Sequence, residues 1–104
     1  MKIRDARAHV MRAIQVVRKL TINADTIAER ERCVDLHEAL HRELAKLDTV
    51  LLSENNSEYH ALTLRFASAK EELEAVAERA KELADHLKIA ANMIDSLTKL
   101  AGVL

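Results

Sequence analysis

Residues 58–104 read EYHALTLRFASAKEELEAVAERAKELADHLKIAANMIDSLTKLAGVL, and apolar residues recur in them at every seventh position in two interleaved series. One series is Tyr59, Phe66, Leu73, Ala80, Leu87, Ile94 and Ala101. The other is Leu62, Ala69, Val76, Leu83, Ala90, Leu97 and Leu104. Only 49% of the chain is apolar, so an unbroken run of this length arises by chance roughly a few times in ten thousand. No Gly or Pro interrupts residues 58–101. A seven-residue repeat keeps one seam turned towards a neighbouring helix. The stretch therefore predicts a single helix over 58–101, ~65 Å long at the α-helical rise.

Upstream, Ser53-Glu54-Asn55-Asn56-Ser57 is the clearest polar break. Before it, Cys33, Leu36, Leu40, Leu44, Leu47 and Leu51 form one helical stripe, and Ile27, Val34, Ala45 and Leu52 a second. That pattern predicts a helix over 26–52 that touches two neighbours. Asp25 followed by Glu29, or Thr26 followed by Glu29, reads as its N-terminal cap or capping box. Ile3, Ala6, Val10, Ala13, Ile14, Val17 and Leu20 predict a first helix over 3–20. The expectation is one all-α domain over 1–104, either an elongated antiparallel hairpin with a kinked first arm or a three-helix bundle. Apolar surface beyond a two-helix seam, at Ile89, Met93, Leu100 and Val103, predicts a homodimer forming a four-helix bundle.

Composition narrows the function classes. The chain has no Pro, one Gly and no Trp, so glycine-rich phosphate loops and nucleotide-binding α/β folds are excluded. Cys33 is the single cysteine. It rules out an internal disulfide and points to a reducing, cytoplasmic setting. No stretch is long and apolar enough to span a bilayer. The formal net charge is −1, yet residues 1–20 carry Lys2, Arg4, Arg7, Arg12, Arg18 and Lys19 against Asp5 alone. A basic helix of this kind suits an acidic neighbour or a nucleic-acid backbone.

His37-Glu38-Ala39-Leu40-His41 matches HExxH, in which two histidines one turn apart ligate zinc and the Glu activates water. The longer continuation is missing, because Leu44 and Leu47 stand where a Gly and a third His belong. The histidines therefore read first as partly buried side chains between the two stripes, and His37 and His41 remain only candidate metal ligands. Neither a cofactor nor a catalytic residue is expected.

The reading that follows is a non-enzymatic helical protein–protein interaction module: an adaptor, a small regulator or antitoxin-like inhibitor, or a secretion or assembly chaperone. Its expected partner is another protein, met through Arg4, Arg7, Met11, Arg12, Val16 and Arg18 on the first helix and Ile89, Met93, Leu100 and Val103 near the C-terminus. The alternative is a small dimeric nucleic-acid-binding regulator using the basic first helix. A zinc-dependent hydrolase at the HEALH segment is the third reading.

Overall fold

The computed structural model describes residues 1–104. The chain forms α1 (Ile3–Ile22), α2 (Ile27–Leu47), a 3-10 turn (Leu52–Glu54), a one-turn α3 (Leu64–Ala67), α4 (Lys70–Leu87) and α5 (Ala91–Val103). No strand is present. α1 and α2 form one antiparallel hairpin, and Arg7 near the start of α1 bonds Asp48 at the end of α2 at 2.7 Å. α4 and α5 form a second hairpin, which brings Lys70 and Gly102 to the rim of one shared cavity. α1 packs against α5 and so joins the hairpins. Four long helices of one chain thus pack together.

The extent of α1 and the start of α2 follow the sequence closely. Thr26 caps α2 by accepting the Glu29 N–H at 3.1 Å, and Glu29 reaches back to the Asp25 N–H. Such a cap contributes about 1 kcal/mol. Leu20, Leu36 and Leu40 are fully buried between the helices, each stabilising the fold by about 1.5–3 kcal/mol. α2 ends earlier than expected, at Leu47. Thr49 and Val50 close the last turn with three-residue hydrogen bonds to Lys46 and Leu47, and the Thr49 hydroxyl also bonds the Lys46 carbonyl at 2.6 Å. β-Branched and hydroxyl side chains favour that local alternative over another helical turn.

The continuous helix over 58–101 is not formed, and this is the main correction to the sequence reading. Residues 58–63 are non-helical, and the chain turns again at Lys88–Ala90. The longest dimension is 43 Å and the radius of gyration 13.2 Å, against the ~65 Å of an unbroken helix. The molecule is therefore far less elongated than expected, and the first helix folds back on the second.

Each break has an identifiable cause. At the second, Lys88 adopts a left-handed conformation (φ 55°, ψ 46°), and the N–H groups of Lys88 and Ile89 both donate to the Ala84 carbonyl. This closes the end of α4 as glycine usually does. A lysine there costs about 1–2 kcal/mol. The burial of Ile89 against the core, worth about 1.5–3 kcal/mol, offsets it. The first break is organised by a carboxylate, described next.

Candidate interaction groove

Glu43 lies on α2 between Leu40 and Leu47, on the helix face that points into the protein, and it is completely buried. An unpaired buried carboxylate costs several kcal/mol. Glu43 is not unpaired. Its Oε2 accepts the Tyr59 hydroxyl at 2.6 Å and the Leu62 N–H at 2.7 Å, and its Oε1 accepts the Thr63 N–H at 3.0 Å and the Thr63 hydroxyl at 3.1 Å. Thr63 Oγ1 in turn accepts the Phe66 N–H at 3.1 Å and caps α3. Tyr59 is further anchored through its backbone, whose N–H donates to the Met1 carbonyl at 2.8 Å, and the Met1 ammonium bonds Glu58 at 2.6 Å. Burial first, then the hydrogen bond to Glu43 and lastly its charge, push the Tyr59 phenol well above its ordinary range.

This network holds Leu62–Thr63–Leu64 as a fixed ledge over α2. Thr63 faces the carboxylate, while Leu62 and Leu64 on either side of it are turned to solvent, 41% and 92% exposed. Below the ledge is an open groove of about 700 Å³, lined by Arg42, Ala45, Lys46, Thr49, Leu62, Thr63, Leu64 and Arg65. Its apolar lining is Ala45 on α2 and the two ledge leucines, beside three cations, and no carboxylate lines it.

Two of these cations are already paired, and Asp35 lies beside both in the adjoining cavity that Arg42 and Arg65 also line. Glu38 bonds Arg42 at 2.6 Å, Glu72 bonds Arg65 at 2.8 Å, Asp48 bonds Arg7, and Glu43 is consumed by the ledge. Lys46 has no carboxylate partner.

The residues expected at a partner surface do not form one patch. Val16, Ile89 and Leu100 are enclosed in the chain's own core. Met93 is partly buried against it, and Val103 alone of the C-terminal group is exposed. Arg4, Arg7, Met11 and Arg18 do share the exposed face of α1, whereas Arg12 is half-buried on its flank, close enough to His9 to depress the imidazole pKa.

In the HEALH segment the rings of His37 and His41 meet edge to face, with centroids 4.4 Å apart. His37 Nε2 is buried without a hydrogen-bond partner. Burial, then His41 and Arg18, lower the His37 pKa. Glu38 is bound to Arg42, and no group of three or more His, Cys, Asp or Glu side chains converges to hold a metal ion. One serine–histidine pair exists, with His9 Nδ1 2.8 Å from Ser96 Oγ. Ser96 is fully buried and its hydroxyl also bonds the Asn92 carbonyl, so the pair ties α1 to α5 and offers no accessible nucleophile.

Sequence reading missed Glu43 and the ledge. The available signal was the position of Glu43, three residues after Leu40 and four before Leu47, within an otherwise apolar stripe. No helix of the structure is long and apolar enough to cross a membrane. No family model matches the chain, and no curated protein or solved structure matches it significantly.

Proposed function

We propose that this chain is a non-enzymatic helical interaction module that binds another protein through the groove between α2 and the Leu62–Leu64 ledge. One observation carries the reading: a buried carboxylate and its four hydrogen bonds fix a segment whose two leucines face solvent. Isolated exposed leucines are ordinary on protein surfaces, but leucines gathered at a groove mark contact sites. Rigidity also lowers the entropy lost on binding. Of the residues beyond the repeat that suggested a dimer, Ile89 and Leu100 are buried in the chain's own core and Met93 is partly buried against it, so the groove takes their place in the proposal.

The test is quantitative co-purification from the native cell of tagged full-length protein and of a Leu62→Asp, Leu64→Asp variant. Loss of a specific partner with the variant is expected, with helicity unchanged by circular dichroism. An unaltered set of partners would contradict the reading.

A second reading, nucleic-acid binding, is favoured by the exposed Arg4, Arg7 and Arg18 along one face of α1. Its mark is a steep loss of affinity with added salt that is abolished by charge reversal at these arginines.

A further inference from the structure

We infer that His37 and His41 form a two-point clamp on α2 for one late first-row divalent metal ion, Zn²⁺ or its neighbours Ni²⁺ and Cu²⁺. The assignment is independent of the groove. Spacing is the first observation. Residues four apart lie one above the other on a helix face, and these two rings already meet, with centroids 4.4 Å apart and planes at 66°. At a metal–nitrogen distance of about 2.0–2.1 Å, two imidazoles on one ion have centres about 4.5 Å apart for a right angle at the metal and about 5.2 Å for a tetrahedral one. The pair thus needs to open by less than about 1 Å. His37 is half-buried, and the exposed His41 is free to supply that movement.

The second observation is an orphaned atom. His37 Nε2 is buried without a hydrogen-bond partner, and no other buried side-chain nitrogen or oxygen in the chain lacks one. Native proteins rarely leave such an atom unpaired. With the ring proton on Nδ1, Nε2 offers a lone pair to a ligand. An ion seated between the two rings satisfies it without the open space that a larger ligand requires.

The donor set selects the metal. Glu38 is bonded to Arg42, and no third His, Cys, Asp or Glu converges on the pair. Mg²⁺ and Ca²⁺ take oxygen ligands and do not suit two imidazoles. Imidazole suits Zn²⁺, Ni²⁺ and Cu²⁺, and Cu²⁺ binds such donors most tightly. Water fills the remaining positions. With Glu38 held by Arg42, the site binds an ion and does not hydrolyse. Arg18 is the one charged side chain lining the 150 Å³ cavity beside His37, and its charge opposes a cation. Arg18 is exposed, so water and salt screen that repulsion.

The experiment uses the full chain without a polyhistidine tag. Isothermal titration with Zn²⁺ should give one ion per chain, and Mg²⁺ should give no heat. Cu²⁺, titrated against a competing chelator, should bind at least about tenfold more tightly than Zn²⁺. His41→Asn should weaken Zn²⁺ binding by at least about tenfold, with helicity unchanged by circular dichroism. Arg18→Gln should strengthen it about threefold, which places the ion beside His37. In NMR spectra, Ni²⁺ should broaden the imidazole signals of His37 and His41 before those of His9, His60 and His86.

No saturable binding of Zn²⁺ or Cu²⁺ overturns the assignment. Equal Zn²⁺ affinity in wild type and His41→Asn overturns it too, as does first broadening at His60 or His86, since either result places the ion elsewhere on the surface. The groove reading stands or falls separately, on loss of a partner in the Leu62→Asp, Leu64→Asp variant.

Discussion

The Tyr59 hydroxyl donates to Glu43 Oε2 at 2.6 Å, joining α2 to a segment sixteen residues downstream inside the protein. Through this bond Tyr59, whose backbone N–H is tied to the Met1 carbonyl, the ledge and α2 share one buried charge. Removing the hydroxyl in Tyr59→Phe takes one of four donors from the carboxylate and should cost about 1.5–3 kcal/mol in urea unfolding. Glu43→Gln replaces the charge and turns an amide NH2 towards other donors. It should cost about 3 kcal/mol. A Tyr59→Phe variant as stable as wild type would show that the hydroxyl is not engaged.

Lys88 supplies a prediction whose sign separates two architectures. Its φ of 55° is a conformation that glycine adopts without strain. Lys88→Gly should therefore raise stability by about 0.5–1 kcal/mol, the relief of left-handed strain exceeding the extra entropy of the unfolded chain. In a helix continuous through this position, the same change would lower stability by about 1 kcal/mol. Thermal and urea unfolding of the single variant distinguish the two.

Two histidines make stability fall on acidification. His9 and His37 are both held below the ordinary value of 6.5. For His9 burial acts first, then Arg12 and Lys99, opposed by Asp95 and Asp5. For His37 burial is followed by His41 and Arg18. A folded-state pKa below the unfolded one means that the unfolded chain binds more protons between the two values. The stabilisation is thus complete above 6.5 and is lost as pH falls through the folded pKa values. Melting temperature should drop from pH 7.5 to 5.5, and His9→Gln and His37→Gln should each flatten the slope. A slope unchanged in both variants would contradict this origin.

Cys33 is nearly inaccessible, at 2% exposed, and burial followed by the Glu29 charge pushes its thiol pKa up. Both effects suppress the thiolate, the reactive form. In the native protein, modification by a disulfide reagent should be at least about a hundredfold slower than in urea, because it requires local opening. Rapid stoichiometric labelling of the folded protein would contradict the placement of Cys33 beneath the 270 Å³ cavity lined by Leu20, Glu29 and Arg79.

The seven-residue repeat shows what was legible and what was not. Its phase correctly marked the inward positions: Tyr59, Phe66, Ala69, Leu73, Val76, Ala80, Ile94, Leu97 and Ala101 are all buried. Leu62 and Ala90, the two exposed members of the series, fall at the two breaks. Periodicity reports which residues face the core, and a helix that turns back on itself without losing phase presents the same pattern as a straight one. The usual markers, Gly and Pro, are missing from both turns. One turn is made by a lysine in a glycine-like conformation, and the other by hydrogen bonds from residues 59–63 to a carboxylate sixteen residues or more upstream. Neither device leaves a local composition signal. The first helix, the start of α2 and a cap at Asp25 or Thr26 were legible because their causes are local, whereas the sequence leaves the folding back of α1 on α2 open between two architectures. The groove was not legible, because its α2 side and its ledge come from segments far apart in the sequence that Glu43 joins.

Amide exchange at Leu62 and Thr63, followed by NMR in wild type and Glu43→Gln, tests the central claim most directly. Both N–H groups donate to the buried carboxylate, so they should be strongly protected in the native protein although they lie outside any helix. In Glu43→Gln that protection should collapse while the amides in the middle of α1 stay protected. Exchange of Leu62 and Thr63 at unprotected rates in wild type, or undiminished protection in the variant, would contradict a ledge held by Glu43 and the interaction surface built on it.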